Sequence, residues 1–188
     1  MPAPALSIAE AAAALARGGV VVYPTEAVWG IGCDPRDEAA VRRLLAIKRR
    51  PVDKGVILIA TSIAQLDAWV DWQALPAPRR EAVLASWPGP HTWAVPATAA
   101  LPAWISGAHR SVAVRVTAHP QARALCEAFG HALVSTSANL AGFPPAFGRG
   151  ELDPALLALS DGVCEGETGG LAAPTPIRVA LSGEVVRG

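Results

Sequence analysis

"HPQARALCEAFGHALVSTSANLAG", residues 119–142, sets a helix, a strand and a polar turn one after another. Pro120 stands near the start of the helical stretch 119–130 and Gly130 at its end, the two positions a helix tolerates or favours them. "HALVST" (131–136) then reads as a strand, and small polar residues follow at Ser135, Thr136, Ser137 and Asn139. A helix returning into a strand that ends in hydroxyls and an amide is the repeating unit of an α/β sheet with a ligand crevice at its strand ends. The bland reading of the same polar group is a cap for a following helix.

The alternation continues outward from that unit. Upstream, residues 7–17 read as a helix opened by the capping box Ser7-x-x-Glu10 and stopped by Gly18-Gly19, followed by the β-branched strand "VVVY" (20–23). Asp37 to about Arg49 is helical, with Val41, Leu44 and Leu45 on one face, and "GVILIA" (55–60) is a buried strand. Ser62-x-x-Gln65 predicts a short capped helix and residues 78–86 another. "TWAVPA" (92–97) and "SVAVRV" (111–116) are strands with no evident helix between them, so part of the sheet is antiparallel. Beyond Gly142 the chain is rich in Gly and Pro, with a helix near 153–159 and one or two short strands. The expected architecture is a mixed parallel/antiparallel α/β sheet with flanking helices in a single domain, residues 1–188.

Composition bounds the function. At 52% hydrophobic and 17% charged residues the chain has ample core material, and a net charge of +0 gives no global attraction to nucleic acid or membrane. Cys33, Cys126 and Cys164 are odd in number and form no CxxC pair, which fits free thiols in a reducing compartment. The first residues lack a basic leader, and no apolar run is long enough to span a bilayer. The expectation is a cytoplasmic protein with no membrane partner.

There is no GxSxG elbow, HExxH, Walker A loop or zinc-spaced Cys/His set. His91, His109, His119 and His131 are scattered and read as surface or satisfied core residues. Four polar stretches break the apolar pattern. "YPTEAVWGIGCD" (23–34) offers Thr25, Glu26 and two glycines after Pro24; blandly, it is a strand-to-turn junction around a packed Trp29. "IKRRPVDKG" (47–55) holds both lysines of the chain, Lys48 and Lys54, with Arg50, on an irregular segment that Pro51 separates from the helix. Three cations there suit a polyanion such as a triphosphate, or else make a surface patch. Arg115 ends an otherwise apolar strand and needs an anion, either a structural carboxylate or a substrate's. The fourth stretch is "LVSTSANLAG" (133–142).

Taken together, "YPTEAVWGIG", "KRRPVDKG", "SWPGPHTWAVPA", "SVAVRVTAHP" and "LVSTSANLAG" resemble, in order and spacing, the threonylcarbamoyl-AMP synthase family of the single-domain bacterial YrdC/TsaC type. The resemblance runs from the first helix to "GETGG" (166–170) and "SGEVVRG". It implies a twisted sheet around a concave basic groove, and a nucleotidyltransferase reaction. L-Threonine and bicarbonate or carbon dioxide give an N-carboxy-threonine that attacks the α-phosphate of ATP, releasing pyrophosphate. The product passes to a complex that modifies tRNA.

By this resemblance Lys48 and Arg50 fill a K-x-R motif at the phosphates and are the catalytic pair, with Lys54 beside them. Ser137 and Asn139 match an S-x-N nucleotide element, with Ser111 near it and Arg187 reaching the nucleotide. Thr25 matches the threonine-binding position, Arg115 meets the threonine carboxylate, and Ser135, Thr136 and Thr175 line the same pocket. "PTPIR" (174–178) departs from the family's Ser-Thr pair, and "GFPPAFGRG", with Arg149, is atypical. ATP enters as substrate, Mg2+ with it, and no tightly bound cofactor or protein metal site is implied. The alternative from another class is a non-catalytic module binding tRNA or rRNA through the same groove. Its neutral charge, with three Phe and one Tyr besides Trp, makes a weak stacking platform.

Overall fold

The structure is a computed structural model that describes residues 3–186. Ten strands form one sheet: β1 (Ala5–Leu6), β2 (Val21–Pro24), β3 (Trp29–Gly32), β4 (Ile57–Ala60), β5 (Thr92–Pro96), β6 (Ser111–Val116), β7 (Leu133–Ser137), β8 (Gly162–Cys164), β9 (Ile177–Val179) and β10 (Val185–Val186). Their order is β1-β8-β2-β3-β7-β4-β6-β5-β9-β10. The sheet is mixed: β4 pairs β6 parallel, and β7 pairs both β3 and β4 antiparallel. β5 and β6 are antiparallel as expected, joined through a one-turn helix that the sequence left unread, Ala103–Ser106.

Helices α1 (Ile8–Ala16), α2 (Glu38–Lys48), α3 (Ala77–Ala85), α4 (Ala103–Ser106), α5 (Pro120–Phe129) and α6 (Pro154–Leu159) flank the sheet. The capping box of α1 forms as read: Glu10 N–H donates to Ser7 Oγ, and Ser7 N–H donates to the Glu10 carboxylate. The box read at Ser62 and Gln65 does not form. Only a 3₁₀ turn, Ile63–Gln65, stands there, and Gln65 Oε1 instead accepts from the N–H of Thr61 at 2.9 Å.

Side chains alternate along each strand, so the sheet has two distinct faces. One carries Trp29, Ile31, Leu58, Val112, Val114 and Val134, packed with Val41, Leu44 and Leu45 of α2, Val83 of α3, Ile105 of α4 and Leu156 of α6. On the other face, Val21, Tyr23, Ile59 and Leu133 lie under Leu15 of α1 and Leu125 and Cys126 of α5. Farther along that second face, Gly30, Ile57, Ala113, Arg115, Ser135 and Ser137 border a groove instead. Partial covering by two helices thus leaves the sheet itself as the floor of a site. Among the described residues no helix is long and apolar enough to cross a membrane.

Candidate active site

The groove encloses about 1410 Å³. Thr25, Arg50, Lys54, Ser111, Arg115, Ser135, Thr136, Ser137 and Thr175 all border it, drawn from five separate stretches of chain. His109 and Arg110 border it too, and no Asp or Glu does among the described residues.

The cationic end is built by the termination of α2. Arg49 adopts the left-handed conformation with φ 53°, and the N–H of Arg50 donates back to Leu45 O at 2.9 Å. That reversal is the helix-ending turn for which Gly is usual. It brings the Arg50 charge near Lys48. Lys48 is only 3% exposed and does not border the groove. Its Nζ donates to the carbonyl oxygens of Ser137 and Asn139, the latter at 2.7 Å, and so ties the end of α2 to the end of β7. Burial first, then the neighbouring Arg50 charge, pushes the Lys48 ammonium down to about 8, although both carbonyls favour its charged form. Arg50 donates from Nη2 to Gly55 O at 3.1 Å, while its buried Nε finds no partner among the described residues. Burial lowers its pKa as well. Lys54 is exposed on the rim.

At the other end Arg115 meets the structural carboxylate that its burial required. Its Nη1 donates to Glu26 Oε2 at 3.0 Å and to Thr175 Oγ1 at 3.1 Å, and Thr117 Oγ1 donates to Glu26 Oε1 at 2.6 Å. Arg115 Nε is buried and unpartnered among the described residues, and the side chain still borders the groove. Thr175, within the atypical "PTPIR", thus contacts Arg115 and borders the groove. Glu26 was not among the expected site residues. Its signal was an acid directly after Thr25 in a buried stretch, which needed a cation. His119 lies just behind: its Nδ1 accepts from Ala122 N–H, so Nε2 carries the proton to Glu167 O at 3.0 Å. Burial lowers its pKa and keeps the ring neutral.

Thr25 gives its hydroxyl to Val28 O at 2.7 Å. Asn139 sits behind the groove wall; its amide donates to Leu140 O and Phe143 O, and its buried Oδ1 is unpartnered among the described residues. Arg149 packs over the Trp29 ring at 5.8 Å. Arg187 lies outside the described residues.

A family model described as "Telomere recombination", for Sua5, YciO and YrdC, matches residues 13–187. The chain belongs to the Sua5/YciO/YrdC family. A relative from Xanthomonas euvesicatoria pv. vesicatoria named threonylcarbamoyl-AMP synthase is 63% identical over 97% of both chains. One of the same name from Xanthomonas oryzae pv. oryzae is 61% identical over the same shares. Among solved structures, P. abyssi Sua5 complexed with L-threonine superposes with TM-score 0.82 at 26% identity, over 95% of this chain and 53% of that one, so this chain spans about half of it. E. coli YciO, at 22% identity and TM-score 0.76, shares the fold.

Proposed function

We infer that the chain is a threonylcarbamoyl-AMP synthase. The observation that carries this is one groove with phosphate-suited cations at one end and a buried Arg115 at the other, in a chain 63% identical to enzymes of that name. The threonine amine takes up carbon dioxide, directly or from bicarbonate, to give an N-carboxylate. A carboxylate oxygen then bonds to the α-phosphorus of ATP, the bond from that phosphorus to the bridging oxygen breaks, and pyrophosphate departs with the electron pair. Such a displacement needs alignment and neutralisation of phosphate charge more than protein nucleophiles.

Each side chain takes a role its position suits. Arg50 and Lys54 neutralise the phosphates. Lys48 holds the backbone of residues 137–139, and Ser137 and Ser111 border the nucleotide. Arg115, kept in place by Glu26, receives the threonine carboxylate, and Thr25, Ser135, Thr136 and Thr175 enclose the amino acid. Because no carboxylate borders the groove among the described residues, Mg2+ arrives on the nucleotide's phosphates and water. The product goes to a tRNA-modifying complex in the cytoplasm, where three free thiols stay reduced. The 63% identity to a chain named threonylcarbamoyl-AMP synthase favours catalysis over a module that only binds RNA.

The test is pyrophosphate release by purified protein with ATP and Mg2+. Release is expected only when threonine and bicarbonate are both added. Its absence with all substrates present overturns the reading.

A further inference from the structure

The turn that carries Lys54 is not held in place by its own side chains. Val52–Lys54 is a single 3₁₀ turn, and all three of its side chains are exposed. Its internal bonds, Lys54 N–H to Pro51 O at 3.4 Å and Gly55 N–H to Val52 O at 3.1 Å, shape the turn without fixing where it sits. On the side of Val52 and Asp53 a second cleft of about 440 Å³ opens, bordered also by Glu38 and Arg42 of α2. Arg50 depends on the same segment, because its Nη2 donates to Gly55 O. Two of the groove's cations therefore take their positions from a turn that must be anchored from outside.

That anchor is α4 with the glycine after it. Val56 N–H donates to Ile105 O at 3.0 Å, and Ala108 N–H donates to Asp53 O at 3.0 Å. The two backbones approach so closely that both use glycine in the left-handed region, Gly55 with φ 63° and Gly107 with φ 61°. A Cβ on Gly55 would stand 2.9 Å from Ser106 O, and one on Gly107 would collide with Asp53 O. A shift of α4 is thus passed directly to the turn. Being one turn long, α4 is itself held by side chains. Ile105 is buried in the core, and the Trp104 ring packs against that core while its Nε1 donates to Pro35 O at 3.1 Å. Trp104 borders the second cleft, not the groove.

We propose that Trp104 is a positioning residue for ATP: through α4 and the contact between Gly55 and Gly107, it sets Lys54 and Arg50 against the phosphates without touching substrate. This rests on the phosphate role given to Arg50 and Lys54 above. Loss of the indole N–H deprives Pro35 O of that donor and releases α4, and a misplacement of about 1 Å can cost about 100-fold in rate. The threonine end is tied separately, Arg115 to Glu26 and Thr175. The effect therefore falls on the phosphates.

The experiment compares the wild type, Trp104→Phe, Lys54→Gln and the double variant. Calorimetry gives the binding of ATP and of AMP, and pyrophosphate release at saturating ATP gives the threonine KM. Trp104→Phe keeps an aromatic ring against the core and removes the hydrogen bond. It is expected to weaken ATP binding about fivefold, while AMP binding and the threonine KM change less than about twofold. In the Lys54→Gln background the same step should shrink to about twofold, because part of what Trp104 positions is already gone. An unchanged ATP affinity overturns the proposal. Equal weakening of ATP and AMP, or a step undiminished beside Lys54→Gln, marks a general structural role and also overturns it. Should Trp104→Phe not fold, hydrogen exchange in the wild type decides: ATP should slow the Val56 and Ala108 amides at least about threefold, and unchanged exchange sinks the proposal. Lys54→Gln binding ATP as the wild type does removes the phosphate reading of the turn and the proposal with it. Weakened Lys54→Gln beside an indifferent Trp104→Phe removes only the role of Trp104.

Discussion

At the level of single residues, Lys48 lies behind the groove wall, and burial lowers its pKa. Its pKa falls from the ordinary 10.5 to about 8. Below about 8 both folded and unfolded chains hold the proton. Between there and 10.5 the unfolded chain keeps a proton that the folded one has shed, so this group makes folding more favourable as pH rises through that window. The ammonium that grips Ser137 and Asn139 is lost over the same range. ATP affinity, measured by calorimetry without threonine, should therefore weaken about threefold or more from pH 7.5 to 9. Lys48→Met should bind ATP weakly at both values and show no such slope; a wild-type affinity flat across this range contradicts the role. Arg49 behaves differently, because its left-handed backbone is the feature α2 uses and its exposed side chain is not. Arg49→Gly removes a strain of about 1–2 kcal/mol and adds about 0.5–1 kcal/mol of unfolded-chain entropy. Calorimetric melting should show equal or slightly greater stability, with pyrophosphate release kept within about twofold. A variant that loses release would show that the Arg49 side chain takes part in the site.

At the level of elements, α2 delivers the cations, yet its two ends are secured separately. Asp37 caps the start by accepting from Ala40 N–H at 3.1 Å, whereas the finish is held by Lys48 and by the Arg50–Leu45 bond. Asp37→Ala should cost about 1 kcal/mol of stability and leave the ATP KM within about twofold. A large KM change would mean that the helix moves as one lever. Helix α2 was legible because its apolar face and its Pro51 stop are both local signals, and so were β4, β6 and β7 with their β-branched runs. β3 was not: Trp29-Gly30-Ile31-Gly32 reads as a turn because half its residues are strand-breakers, and it is a strand only through pairing with β2 and β7. β1 and β10 have two residues each, too few for any period to show. Within the site, Arg50, Lys54 and the Ser135–Ser137 run stood out as polar interruptions at element ends. Glu26 stood out beside Thr25 in the same way, but its pairing with Arg115 did not, because the two lie 89 positions apart and only the sheet brings them together.

Across the whole molecule, sixteen basic and sixteen acidic residues cancel, but the groove takes a disproportionate share of one sign. Arg50, Lys54, His109, Arg110 and Arg115 border it without a single bordering carboxylate among the described residues. Glu26 offsets Arg115 from behind, so the excess charge is concentrated at the end formed by Arg50 and Lys54. A field of this kind attracts a tetra-anion such as ATP far more strongly than a zwitterion such as threonine. Screening shortens from about 10 Å at 0.1 M salt to about 3 Å at 1 M, and exposed Lys54 and Arg110 are the charges it reaches first. Raising salt from about 0.05 to 0.5 M should therefore raise the ATP KM about threefold to tenfold, while the threonine KM moves less than about twofold. Half-buried Arg50 keeps part of its effect, so ATP binding should weaken without vanishing. Lys54→Gln should flatten the salt response of the ATP KM and leave that of threonine unaltered. If both KM values rose together, the groove's field would act on the fold or on general association rather than on the nucleotide.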